Sequence, residues 1–256
     1  MNVFLYDAKT NNKTFEKILA KIEIRITDLG LNGKIVRLGP TQSVAETIGN
    51  EVRKGANTIV AVGGNELFNQ SLNAMAKLGA PDLAGKKTPL AFLPVGEKNA
   101  TIANLLGLGE AVASCDVLSA RRIEKFRLGR ANHHYFLTRA VIGTAGTKLE
   151  IDDSYTIEFA AAGEISVVNQ RTETGSAGGS KRAGLELHVR MKKSYRLLPK
   201  SSGPGRPSVL IFNHLRIINE RSVLTIDGSQ PVALPAVLAP AAETVNLIVG
   251  KDRLLP

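Results

Sequence analysis

The chain has 256 residues, 43% hydrophobic and 22% charged, which is enough to bury a large core in one domain or two and excludes an intrinsically disordered composition. There is no apolar run of about eighteen residues, and no basic segment leads into an apolar one at MNVFLYDAKTNNKTF, so neither a spanning helix nor a secretory leader is expected. One cysteine, Cys115, excludes an intrachain disulfide and fits the reducing cytoplasm, while a net charge of +10 points to phosphate-bearing partners.

The first hundred residues alternate strand and helix signals. Val3 to Tyr6 reads as a strand. A helical stripe follows over 14–29, carried by Phe15, Ile18, Leu19, Ile22, Ile26 and Leu29, with Thr14 as cap and Gly30 past the end. Lys34 to Leu38 reads as the second strand, and Thr41 is expected to open a helix that buries Val44, Ile48 and Val52 and closes at Gly55. Thr58 to Val62 is a continuous apolar run, suited to a strand buried on both faces. The next helix carries Phe68, Leu72 and Met75 and ends at Gly79. Pro89 to Leu93 then leads through Gly96 into a short helix over Asn99 to Leu106. Such alternation implies a parallel sheet with right-handed crossovers.

Beyond about residue 115 the pattern turns to short β-type runs: Tyr135–Ile142, Tyr155–Phe159, Ile165–Val168, Leu185–Val189, Val209–Phe212, Val223–Ile226 and Val245–Val249. The expected class is therefore α/β plus β. A Rossmann-like parallel sheet with helices occupies residues 1–114, and a β-sandwich-like domain occupies 115–256. Two Gly, Ser and Pro rich segments, 175–184 and 198–207, read as loops. Between Gln170 and Pro207 nine Lys or Arg residues stand against Glu173 and Glu186, a local excess that suits an anionic membrane surface or phosphate. Aromatics at 5% and no Trp make nucleic acid the weaker partner.

Two turns carry the chemistry. In IVAVGGNELFNQSLNAM (59–75) a buried strand ends in Gly63-Gly64 and a helix begins at once, so backbone amides at the helix start can meet a phosphate. FLPVGEKNATIANLLGL (92–108) repeats the theme with Gly96 and Asn99. Both turns belong at the carboxyl edge of a parallel sheet, where open α/β sheets bind ligands. His133-His134 cannot share a metal from adjacent strand positions, and no Ser–His–Asp or Walker spacing is present.

The first turn resembles the G-G-D-G-T-x-N-E-V-x-N-G signature of diacylglycerol kinases, sphingosine-type lipid kinases and the distantly related NAD kinases, with Gly63, Gly64, Asn69 and Asn73 in register and Leu72 at a position the signature leaves open. The second is similar to the family's P-L-G-T-x-N-D turn at Pro94, Gly96 and Asn99. Thr41 lies where the family places a phosphate-proximal threonine, and Ile226-Asp227-Gly228 resembles its closing D-G-E hairpin. The resemblance implies ATP and Mg²⁺ as cofactors, phosphoryl transfer to a lipid hydroxyl entering near Asp227, and nucleotide contacts from Thr41, Gly63, Gly64, Asn65, Gly96 and Asn99. The lone cysteine and the basic 170–207 stretch lead us to expect a cytoplasmic protein in peripheral contact with membrane; monomer or homodimer is left open.

The chain departs from the family at the positions that carry charge. Asn65-Glu66-Leu67 replaces Asp-Gly-Thr, Glu97 and Ala100 replace the threonine and aspartate of the second turn, and Ser229 replaces the last glutamate. An amide cannot accept a proton at neutral pH, and loss of a general base costs on the order of 10²–10⁴-fold in rate. Glu66 and Glu97 are the candidate substitute acids, with Asp227 as the third catalytic candidate. A catalytically silent relative that binds nucleotide or anionic lipid as a sensor or scaffold is the alternative reading.

Overall fold

The computed structural model describes residues 1–10, 13–79, 88–96, 101–169, 184–191 and 208–254. The chain forms two compact units, Met1–Arg127 with Glu243–Leu255, and Leu128–Ala242. Composition places the change of character at 114/115. The first unit continues past that point because a helix unmarked in the sequence reading, Ala111–Ala120, packs on the first helix and the fourth strand.

In the first unit the chain runs β1 (Asn2–Tyr6), α1 (Glu16–Asp28), β2 (Gly33–Arg37), α2 (Val44–Arg53), β3 (Thr58–Gly63), α3 (Asn65–Leu78), β4 (Leu90–Pro94), α4 (Thr101–Leu105) and α5 (Ala111–Ala120). The strands pair in parallel in the order β2-β1-β3-β4, so the sheet reverses its winding direction between β1 and β3. Strand residues alternate between two faces. Phe4, Tyr6, Val60, Val62, Ala91 and Leu93 meet Leu19, Ile22 and Ile26 of α1 and Cys115 and Leu118 of α5 in one core. From α3, Phe68 lies against Phe92 of β4, with ring centroids 5.0 Å apart. Burial pushes the Cys115 thiol up to about 11, which makes the lone cysteine a packing residue at neutral pH.

Helix starts differ from the sequence expectation by one or two residues. The cap position of α1 is Phe15 rather than Thr14, and no side chain caps it. Ser43, not Thr41, caps α2; its Oγ accepts from the Glu46 amide, the first half of an S-x-x-E capping box. The expected helix at Asn99 is described from Thr101 onward, since 97–100 fall outside the described residues.

The second unit is built from two sheets over one core. β5 (Ile123–Ala131) enters it and pairs with β6 (His134–Phe136). β7 (Arg139–Gly143), β8 (Lys148–Ile151), β9 (Tyr155–Glu158), β10 (Gly163–Asn169), β11 (Leu185–Met191), β12 (Ser208–Phe212), β13 (Leu215–Ile218), β14 (Leu224–Ile226), β15 (Gln230–Val232) and β16 (Ala236–Ile248) follow. One sheet is antiparallel in the order β12-β11-β10-β7-β14-β15; facing it, β9, β8 and β13 pair with the start of β16. Ile165, Leu187, Phe212 and Ile226 from the first pack with Leu149, Ile151, Leu215 and Leu238 from the second, a sandwich core. The end of β16 returns to the first unit and pairs in parallel with β4, Leu247 opposite Leu90. The loops expected at 175–184 and 198–207 lie outside the described residues apart from Gly184.

The expected run Tyr135–Ile142 is two strands, because its middle is claimed by a side chain. Asp227, 5% exposed, accepts hydrogen bonds from the amides of Leu137 (2.6 Å), Thr138 (2.8 Å) and Arg139 (3.1 Å) and from the Thr138 hydroxyl (2.7 Å). Burial pushes its carboxyl above the ordinary range, while the Thr138, Leu137 and Arg139 hydrogen bonds act the other way.

Candidate active site

The carboxyl ends of β1, β3 and β4 converge on a short stretch of backbone. The β3–α3 turn is Gly63-Gly64-Asn65. Gly64 holds the cap position of α3 in an extended conformation and, lacking a side chain, leaves the helix start open to close approach by a ligand. Gly63 stands opposite Pro94 in the β3–β4 register, and the Val95 amide donates to the Gly63 carbonyl at 2.9 Å. The two glycine turns singled out in the sequence are therefore bonded neighbours as far as Gly96.

Glycine is required at both. A Cβ on Gly63 would come 2.5 Å from Asp7 Cβ, and one on Gly96 would come 3.0 Å from the Phe15 ring and 3.6 Å from Thr10 Cγ2. Gly96 also has φ +79°, which disfavours any side chain. The β1–α1 connection thus completes the site, and the sequence reading missed it. Asp7 follows β1 directly: its amide donates to the Val62 carbonyl, Oδ1 accepts the Lys9 amide at 3.0 Å, and its carbonyl accepts the Thr10 amide and hydroxyl. The Lys9 ammonium is paired with Glu66 in the first turn of α3. No motif marks Asp7; the available signal was an acid at the first position after an apolar strand, where ligand-facing turns begin.

The other candidates are placed as follows. Asn65 is 7% exposed at the first turn of α3, whereas the Glu66 side chain is half exposed and turned to Lys9 and Gln70. Thr41 is exposed in the connection after β2, on the same sheet edge but beyond β1. Glu97 and Asn99 lie outside the described residues. Asp227 belongs to the second unit, where its oxygens are held by the β6–β7 turn. Among the described residues no group of three or more His, Cys, Asp or Glu could by itself hold a metal ion. A magnesium ion that shares phosphate and water ligands needs only one or two carboxylates, and Asp7 beside the Gly63 turn fits that requirement.

A doubly wound parallel sheet, with glycine turns at the carboxyl ends of β3 and β4 beside its switch point, defines an open α/β domain, the class of fold that binds ligands at that edge. The model of the diacylglycerol kinase catalytic domain matches residues 2–131, just over half of the sequence, and the chain belongs to this family. The fold agrees over the whole length. A diacylglycerol kinase from Bacillus anthracis str. Sterne superposes with a TM-score of 0.69 at 14% identity, covering 99% of this chain and 98% of the other. An NAD kinase from Archaeoglobus fulgidus in complex with ATP gives 0.55 at 14% identity over 99% and 95%. No curated protein matches the sequence significantly.

Proposed function

We propose that this protein is an ATP-dependent lipid kinase, transferring the γ-phosphoryl group of ATP to a lipid hydroxyl and releasing ADP, a lipid phosphate monoester and a proton. The observation that carries this reading is the bonded pair of glycine turns at the ends of β3 and β4, beside the switch point of a diacylglycerol-kinase-family domain. The glycine turn at the start of α3 would receive nucleotide phosphate, with Gly63 and Gly96 allowing close backbone approach. Mg²⁺, when bound, neutralises phosphate charge as the phosphoryl group moves. Glu66 in the α3 turn, together with Glu97, is the acid available to take the acceptor proton in place of residue 65.

Transfer of labelled phosphate from ATP to diacylglycerol, and to other hydroxyl-bearing lipids in mixed micelles, tests this directly. Product that disappears in Glu66→Gln and Glu97→Gln supports the assignment. ATP binding without transfer to any lipid favours the silent sensor or scaffold, the reading that the neutral Asn65 supports.

A lipid kinase must reach an acceptor held in a bilayer. β12 is an edge strand whose Val209, Leu210 and Ile211 are 52%, 44% and 60% exposed, beside the exposed Arg190 and Met191 of β11. The chain joining β11 to β12 carries Lys192, Lys193, Arg196, Lys200 and Arg206 and no acid. This combination suits an anionic membrane surface. Val209→Glu with Ile211→Glu is expected to weaken binding to phosphatidylserine vesicles about tenfold, from the lost apolar burial. Unchanged co-sedimentation would remove β12 from the contact.

A further inference from the structure

The family signature places an acid at the third position of the β3–α3 turn, and here that position is the neutral Asn65. A phosphate site needs its metal carboxylate within a few ångströms of the helix-start amides. Among the described residues, an acid held against that turn comes from the neighbouring strand. Asp7 leaves β1 next to β3 and lies against Gly63 so closely that any side chain at 63 would strike it; its Oδ2 is 3.1 Å from where a Gly63 Cβ would stand. Oδ1 is taken by the Lys9 amide, which fixes the carboxyl group in place. Glu66, the other acid in the turn, is half exposed and already faces the Lys9 ammonium.

We infer that Asp7 has taken over the metal-binding role of the missing turn aspartate, presenting Oδ2 to the divalent cation that accompanies the nucleotide phosphates. The inference rests on the kinase reading above and deepens it. Its physical basis is electrostatic. A carboxylate beside a phosphate cradle repels a bare triphosphate, and the repulsion becomes attraction only when a cation lies between them. The acid has thus moved from the β3 exit to the β1 exit, across the switch point, while the glycine turn proposed to receive phosphate stays at the start of α3.

Calorimetric titration of the whole chain with ATP, once in EDTA and once in Mg²⁺, separates the two contributions without any assay of turnover. In the wild type Mg²⁺ is expected to tighten ATP binding. In Asp7→Asn, which keeps a side-chain oxygen for the Lys9 amide, affinity in EDTA should be equal or higher, and the Mg²⁺ complex should bind at least about tenfold more weakly. Adding Asn65→Asp to that variant should restore the Mg²⁺ effect. Asp7→Ser, which also retains an oxygen at that position, gives the same readout if the amide destabilises the turn. Asp7→Asn that keeps the full Mg²⁺ effect, or loses binding equally in EDTA and Mg²⁺, overturns the assignment. So does wild-type ATP binding that is indifferent to Mg²⁺, which would leave the nucleotide site itself standing. A wild type that binds no ATP in either buffer overturns the kinase reading and this inference together.

Discussion

Gly63→Val is expected to abolish measurable ATP binding and to lower stability by about 1–3 kcal/mol, the usual range for forcing extra carbon into a packed position. The new Cβ would sit 2.5 Å from Asp7 Cβ, an atom attached directly to backbone that cannot swing away. β1 and β3 would have to part where the Asp7 amide meets the Val62 carbonyl. Such a shift would move the first turn of α3 relative to the β4 exit, to which Gly63 is bonded through Val95. Calorimetry and urea denaturation of the same sample read both effects. A Gly63→Val protein that binds ATP as tightly as wild type would show that nucleotide is held elsewhere.

Asp227→Ala is expected to cost about 3–5 kcal/mol, because three backbone amides and a hydroxyl lose their acceptor inside the protein. The residue also has φ +47°, a conformation that aspartate tolerates better than alanine. The urea midpoint should fall sharply, while ATP affinity of the protein that remains folded should hold. Asp227→Asn offers the opposite control. If Asn lost phosphoryl transfer at unchanged stability, Asp227 would be a catalytic group; a loss of stability with transfer retained assigns it to the β6–β7 turn.

The parallel sheet was legible because buried strands leave continuous apolar runs: residues 3–6, 58–62 and 89–93 each lie within a residue or two of an observed strand. Elements whose identity depends on distant partners were not. α5, AVASCDVLSA, is too evenly apolar to show a stripe. β16 was read only over 245–249 because Pro240 interrupts it, although β13 and β4 pair with it on either side of that proline. The Ser43–Glu46 cap is written in the sequence as S-x-x-E, two residues beyond the Thr41 expected to open the helix. At the site, the two glycine turns were recognisable from composition and spacing. Asp7 was not, since its meaning depends on β1 lying beside β3, which nothing near residue 7 encodes. The Asp227 role was equally hidden: its partners are Leu137 to Arg139, some ninety positions away along the chain.

The return of β16 to β4 has a consequence for the order in which the protein is made. Emerging from the ribosome, residues 1–127 contain the four parallel strands of the first unit but not β16, so the growing chain carries β4 with its outer row of hydrogen-bonding groups uncovered. That row waits through synthesis of the entire sandwich until Leu247 arrives opposite Leu90. The half that would hold the nucleotide is therefore begun before the sandwich and finished after it.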